Sequence, residues 1–118
     1  MSVRFNDFIK VYTEKGIDTI LRGAPSIILA IADVDFRRGR ENSIFSLAYM
    51  ELYAPTLGLG SCRAGVFENI ALKDNSPMLR LFNIPKDKKI TGAVMVGYPK
   101  YNYPRLVERN PLKFDFLP

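Results

Sequence analysis

The residues that could do chemistry lie in one stretch rich in glycine and other small residues. It runs LGLGSCRAGV and contains Gly58, Gly60 and Gly65. Glycines at this density let a backbone approach another molecule closely, or turn where side chains would clash. The stretch could therefore present main-chain groups to a flat ligand. The alternative interpretation is that Gly58 and Gly60 only end a helix, since turn glycines are commoner than ligand glycines.

The composition excludes the usual self-sufficient catalytic groups. The 118 residues include no histidine and one cysteine, Cys62. The Ser–His–Asp and Cys–His mechanisms, a cysteine-based zinc site and an internal disulfide are therefore excluded. No metal site is expected. An enzyme with this composition is expected to take its hard chemistry from a bound cofactor.

The net charge of +5 is compatible with an anionic cofactor or with nucleic acid. The positive charges fall mainly in Arg37–Arg40 and in Lys86–Arg109, and neither region has the form of a nucleic-acid-binding motif. Arg37–Arg40 is interpreted as a solvated loop. A nucleic-acid binder would show steeply salt-dependent binding, but net charge is its only support, so we expect no nucleic-acid partner.

Length and hydropathy predict one domain in a soluble compartment. A chain of 118 residues with 47% apolar residues is long enough for a core of its own. No uncharged apolar run reaches the roughly 18 residues of a membrane span, and the N-terminus has no apolar signal-peptide block. We therefore expect a cytoplasmic protein with no membrane partner.

Two segments predict strands, and a long helix lies between them. Ser26–Ala32 is a continuous apolar run of strand length, which predicts a strand buried on both faces. Lys89–Tyr98 is rich in β-branched residues and predicts a second central strand. Residues 42–57 predict a helix that is apolar on nearly every side, and therefore buried. Pro55 is expected to kink or end this helix.

The remaining elements complete a mixed α and β pattern. Any of Glu41, Asn42 and Ser43 could cap the central helix. Further helices are predicted at residues 3–15, 66–73 and 77–83. Because the two strands are separated by helices, the predicted fold class is α+β.

Residues 99–118 predict an extended arm. Prolines recur along it at positions 99, 104, 111 and 118, and proline blocks helices and central strands. A segment with so many aromatic residues is nevertheless poorly suited to disorder. We therefore expect the arm to lie across another surface, with a partner subunit as the obvious candidate.

Three stretches together carry a family resemblance. They are ILRGAPSIILAIAD (Ile20–Asp33), SLAYMELYAPTLGLGSCRAGVF (Ser46–Phe67) and ITGAVMVGYPKYNYPRLVERNP (Ile90–Pro111). In this order and spacing they resemble the C-terminal part of the nitroreductase family of FMN-dependent oxidoreductases. The resemblance implies an α+β fold with a central sheet flanked by helices. It also implies a long buried central helix at the core of a homodimer, and an extended C-terminal arm that reaches the other subunit.

The resemblance implies a flavin-dependent activity. In the family, NAD(P)H reduces FMN bound in the dimer cleft, and the flavin passes hydride or electrons to nitroaromatics, quinones or similar small acceptors. No side chain then needs to act as a catalytic base. The family's N-terminal segment, which binds the FMN phosphate, has no counterpart here, so a truncated single domain over residues 1–118 is expected. The alternative is a non-enzymatic remnant, or a dimerisation and flavin-binding module that needs a partner chain.

The family's flavin-contacting loop corresponds to the glycine-rich stretch. The resemblance assigns cofactor binding to six residues of it: Gly60, Ser61, Cys62, Ala64, Gly65 and Val66. Main-chain groups of the last three would lie against the flavin ring and tune its electronics.

Two arginines of the arm resemble the family's phosphate ligand. Arg109 in ERNP matches it best, and a guanidinium fork suits a phosphate. Arg105 is the second candidate, with a solvated surface charge as its alternative. The chain departs from the family at Arg63, where relatives commonly carry an aromatic residue, and at Ser26, where they often carry histidine. A cation at position 63 would shift the flavin potential or substrate preference, or point into solvent.

Overall fold

The computed structural model describes residues 2–73, 76–102, 104 and 107–117, and it confirms the mixed α and β class. The elements in chain order are α1 (Ser2–Lys15), β1 (Ser26–Asp33), α2 (Gly39–Tyr53), a 3-10 turn (Ala54–Leu57), β2 (Gly60–Arg63), α3 (Gly65–Ala71), α4 (Ser76–Leu81) and β3 (Lys88–Gly97). Within the described part of the chain, every helix is too short or too polar to cross a membrane.

The three strands form one antiparallel sheet with β3 in the middle. β1 pairs with β3 along its whole length. β2 is shorter and pairs only with the second half of β3, from Gly60 opposite Gly97 to Arg63 opposite Val94. Among the described residues, the first half of β3 therefore has no strand beside it on the β2 side.

Helices cover both faces of the sheet, so β3 is the most buried element. On one face, α3 and α4 pack against Ile90, Ala93 and Met95. On the other face, α2 packs through Leu47 against Val94 and Val96. All residues from 90 to 96 are buried, which confirms the prediction of a central strand.

Two elements are less buried within this chain than the sequence predicts. Residues of β1 alternate between exposed and partly buried, so the prediction of burial on both faces is wrong, because β1 lies at the sheet edge. The central helix also buries one side only. Ser43 and Leu47 are buried, whereas Phe45 and Tyr49 are 69% and 76% exposed. The apolar residues of α2 therefore form a surface as well as a core contact.

The predicted caps of the central helix are not its caps. The helix begins at Gly39 rather than at residue 42, without a side-chain cap bond. Ser43 lies inside it, and its hydroxyl donates to the Gly39 carbonyl at 2.7 Å and lies 2.6 Å from the Thr91 hydroxyl. The capping prediction for Glu41, Asn42 and Ser43 is therefore wrong.

The glycine-rich stretch contains a strand that the sequence does not predict. Pro55 lies in the 3-10 turn after α2, as expected, and Gly58 with a φ of +70° ends that turn. Residues 60–63 then form β2. Glycine disfavours strands, so Gly60 predicts a loop, and pairing with the buried β3 overrides that preference.

Both ends of the chain carry exposed apolar side chains. α1 is the predicted N-terminal helix and stops at Gly16, whose φ is +65°. Ile9 and Tyr12 on α1 are more than half exposed. The described residues from 98 onward contain no helix or strand, and Leu112 and Phe116 there are strongly exposed. All described residues of the arm are exposed within this chain.

Candidate functional site

A cleft of about 460 Å³ opens where β1 begins and β3 ends. Arg22 and Lys100 bring positive charge to it, and Tyr98 and Tyr101 bring aromatic rings. The described lining contains no acidic residue, and it comes from residues 21–25, 60–62 and 95–101. A basic and partly aromatic cleft of this size suits an anionic ligand that contains an aromatic ring.

The Asp18 carboxylate shapes one rim of the cleft. Its Oδ1 accepts hydrogen bonds from the amides of Ile20 and Leu21 at 3.0 and 2.8 Å, and its Oδ2 from the Gly23 amide at 3.3 Å. These bonds, that of Leu21 first, lower the pKa of Asp18 despite some desolvation. Arg22 and Gly23 have φ values of +55° and +69°, a backbone conformation that is uncommon for arginine. The turn thus sets Arg22 on the cleft wall.

Three of the six predicted loop residues line this cleft. They are Gly60, Ser61 and Cys62, and the Cys62 side chain is exposed. Gly60 has a packing role of its own, since a Cβ there would lie 3.3 Å from the Cβ of Pro99. The glycine therefore lets the arm leave β3 close beside β2.

The other three loop residues lie beyond the cleft, where β2 passes into α3. Ala64 is buried, and its amide donates to the Ala93 carbonyl at 3.0 Å. That amide is occupied within the protein. Gly65 and Val66 are exposed, and a Cβ on Gly65 would meet nothing within 4 Å. Gly65 and Val66 are thus the members of this trio that a ligand could reach.

One buried carboxylate connects α2 and α3 to the half of β3 that does not pair with β2. Glu68 of α3 is 5% exposed. Its Oε1 accepts from Arg63 Nη2 at 2.7 Å and from the Ala93 amide at 2.8 Å, and its Oε2 accepts from Arg40 Nη2 at 2.9 Å. Arg40 Nη1 also donates to the Thr91 carbonyl at 2.6 Å. These side chains satisfy backbone groups that a longer β2 would otherwise pair.

The surroundings of Glu68 keep it ionised. Burial by itself would raise its pKa, because desolvation penalises the charged form. The hydrogen bonds from Arg40 and the Ala93 amide, together with the charges of Arg40 and Arg63, outweigh burial. The pKa of Glu68 therefore lies below its ordinary value of 4.5. At neutral pH, Glu68 is an anion held between two cations.

Two arginines have roles that differ from their predicted ones. Arg40 belongs to α2 and reaches Glu68, so the prediction of a solvated loop is wrong at this position. Arg63 is expected beside a flavin edge or in solvent, but its guanidinium pairs with Glu68. Sequence reasoning missed Glu68 altogether. It stands in VFENIALK as an ordinary polar residue of a short helix, and two of its three partners, Arg40 and Ala93, are distant in sequence.

Arg109 of the arm is not among the described residues that line the cleft. Arg105 lies outside the described residues. Arg109 is exposed, in a part of the arm without helix or strand. The described lining of the cleft ends at Tyr101. The assignment of Arg109 to a phosphate therefore stays a prediction.

Solved structures that share this fold include two proteins with bound FMN. A nitroreductase from Bacteroides fragilis with bound FMN has a TM-score of 0.61 and 17% identity, with 89% of this chain and 56% of that chain covered. Oxidised iodotyrosine deiodinase bound to FMN and 3-iodo-L-tyrosine has a TM-score of 0.52 and 21% identity, with 92% and 59% covered. The chain thus spans less than two thirds of the length of either protein.

The sequence agrees with the fold comparison. No curated protein matches the chain. The family described as Nitroreductase family matches residues 4–98, which is most of the sequence and includes β1 to β3, α2 to α4 and most of α1. The strands, the glycine-rich stretch and the central helix therefore lie within the matched region, and the chain belongs to the nitroreductase family.

Proposed function

We propose that this chain is the flavin-binding part of an FMN-dependent oxidoreductase of nitroreductase type, which uses NAD(P)H to reduce nitroaromatic, quinone or similar small acceptors. The observation that carries the proposal is the cleft beside β2. Its described lining combines two cations, two tyrosines and no acidic residue with the predicted loop residues 60–62. Family membership and two FMN-bound neighbours support the choice of cofactor.

The chain has side chains of the chemical types that bind the phosphate and the ring system of FMN. A phosphate suits the guanidinium and ammonium groups of Arg22 and Lys100 in the cleft. Arg109, or Arg105 as second choice, would bind the phosphate from the arm. The faces of Tyr98 and Tyr101 suit an aromatic ring system. FMN, when bound, supplies the hydride and electron transfer, so the protein has only to bind it, orient it and limit the access of water.

The exposed apolar surface of α2 supports a homodimer. Large apolar side chains stand on the outer side of α2, and several are more than 60% exposed: Phe45, Tyr49, Leu52 and Tyr53. Exposed apolar patches of this kind mark interaction surfaces, and a helix that meets its own copy about a two-fold axis buries the same residues twice. The arm, with its exposed aromatic residues, would then reach the other subunit. Sedimentation of the purified chain is expected to show a dimer, and a monomer at micromolar concentration would refute this part of the proposal.

A second candidate is a non-enzymatic module that binds flavin or dimerises only with a partner chain. The apolar surfaces of α1 and α2 favour it, because a single chain leaves both uncovered. It differs from the first candidate in one measurable property. In an enzyme of the proposed type, a nicotinamide nucleotide reduces the bound flavin. In a non-enzymatic module it does not.

Purified protein separates the candidates. We expect the full chain to copurify with flavin or to take up added FMN, which absorbance and fluorescence quenching report. NADH or NADPH should bleach the bound flavin in the absence of oxygen, and a quinone or nitroaromatic should restore the colour. A chain that takes up no added FMN would refute the cofactor proposal. A chain that binds FMN but is bleached by neither nucleotide would favour the module.

A further inference from the structure

We propose that Glu68 is a positioning residue for the flavin site, because it holds the β2–α3 segment, residues 60–66, on the edge of β3. The inference rests on the proposed function, since the segment includes the loop residues assigned to FMN. Glu68 does not line the cleft and is buried. It therefore acts through its hydrogen-bonded neighbours rather than on a ligand.

The second half of the segment depends on few anchors. Strand pairing ends at Arg63 opposite Val94. The next contact is the Ala64 amide, which donates to the Ala93 carbonyl at 3.0 Å. The Ala93 amide then donates to Glu68 Oε1 at 2.8 Å. Both main-chain groups of Ala93 are thus bonded to the β2–α3 region, one through backbone and one through Glu68.

Glu68 also contacts the two residues that precede Gly65. Its own amide donates to the Ala64 carbonyl at 2.8 Å, and its carboxylate accepts from Arg63 at 2.7 Å. Through Arg40, which bonds to both Glu68 and the Thr91 carbonyl, the carboxylate is tied to α2 as well. Glu68 therefore holds the end of β2 through its carboxylate and the start of α3 through its own amide.

Only a carboxylate satisfies these donors together. Oε1 accepts two N–H groups and Oε2 accepts a third. A glutamine has the same volume, but one end of its amide is a donor. In Glu68→Gln that end would face an arginine or the Ala93 amide, so at least one anchor is lost while the core stays filled.

The first experiment needs no cofactor. Amide hydrogen exchange of the full chain without FMN is compared in the wild type, in Glu68→Gln and in Glu41→Gln, which changes an exposed glutamate of α2. In Glu68→Gln, the amides of Ala64 and Ala93 should exchange about tenfold faster or more, while amides of the β1–β3 pairs keep their protection. Glu41→Gln should match the wild type.

The second experiment reads the flavin site itself. Titration with FMN is expected to give a Kd about tenfold higher in Glu68→Gln than in the wild type, the value of one net hydrogen bond. The absorption bands and the midpoint potential of the FMN that does bind should also shift, because the main-chain groups beside it have moved. A merely structural residue would change the fraction of folded protein but leave both properties of the bound flavin as they are.

The outcomes distinguish the two proposals. A wild type that binds FMN, with Glu68→Gln equal to it in Kd, spectrum and potential, would overturn the role of Glu68 and leave the proposed function standing. Uniform loss of protection, or none at Ala64 and Ala93, would also overturn it. A wild type that takes up no FMN would refute the proposed function, and with it the cofactor role of Glu68. If Glu68→Gln does not fold, Arg63→Gln removes a single donor from the carboxylate and is expected to shift the same readings less.

Discussion

Gly39 and Gly65 form a matched pair that tests how closely α2 sits on the sheet. Each is the first residue of a helix. A Cβ on Gly39 would lie 2.7 Å from the Cβ of Ala32 and 3.3 Å from Cγ2 of Thr91, whereas a Cβ on Gly65 would meet nothing within 4 Å. The Cβ of Ala32 cannot rotate away, so in Gly39→Ala the start of α2 itself has to move off β1.

The expected magnitudes follow from this difference. Alanine is favoured over glycine by up to about 1 kcal/mol in a helix, and it also restricts the unfolded chain. Both variants share this gain. Overpacking a close contact costs about 1–3 kcal/mol, and only Gly39→Ala meets one. The free energy of unfolding of Gly39→Ala should therefore lie about 1–3 kcal/mol below that of Gly65→Ala, with a melting temperature lower by roughly 4 °C per kcal/mol.

Urea unfolding followed by circular dichroism measures the difference, with both variants at the same protein concentration. Gly65→Ala is expected at or slightly above the stability of the wild type. Gly39→Ala should lie below Gly65→Ala, with an unchanged slope against urea if only stability is affected. Equal stability of the two variants would show that α2 does not press on β1 at Gly39, and would refute the packing described for it.

Three further predictions concern the flavin site and its carboxylate. Gly65→Val should weaken FMN binding without lowering the unfolding midpoint, because its side chain enters space that is open in the chain; unchanged FMN affinity would remove Gly65 from the site. Arg109→Ala should raise the Kd for FMN about 10–100-fold and leave that for riboflavin, which lacks the phosphate, almost unchanged; equal losses would indicate a folding effect. The folded-state pKa of Glu68 is lowered, so its contribution to stability is present above about pH 4.5 and is lost as the pH falls through that lowered value. The stability advantage of the wild type over Glu68→Gln should therefore shrink in acid, and an advantage independent of pH would contradict the role of the charge.

The parts of the fold that local sequence determines were predictable. The β-branched run predicts β3, and Pro55 predicts the end of α2. Each of these signals affects the backbone only of neighbouring residues. The burial of β1 was not predictable, because an apolar run does not reveal whether a second strand lies beside it. β2 was missed for a related reason, since its strand state depends on pairing with β3 rather than on Gly60 and its neighbours.

The candidate site divides in the same way. The glycine-rich stretch and its small residues are visible in sequence, and three of them line the cleft. The role of Glu68 is not visible in sequence, because two of the three hydrogen-bond partners of its carboxylate are far away along the chain. Arg40 lies 28 residues before it and Ala93 lies 25 residues after it. Without the topology, nothing distinguishes this glutamate from a solvated one.

Small residues on one helix set the geometry of a carboxylate on another. α2 approaches the sheet closely because Gly39 and Ser43 face it, and the Ser43 hydroxyl meets that of Thr91 at 2.6 Å. At that distance the guanidinium of Arg40 can reach the Thr91 carbonyl and Glu68 together. A larger residue at position 39 or 43 would lift the helix and lengthen both contacts, since side chains in packed cores have little room to compensate. The close seating of α2 is therefore a condition for the anchoring of residues 60–66, although no residue of α2 belongs to that segment.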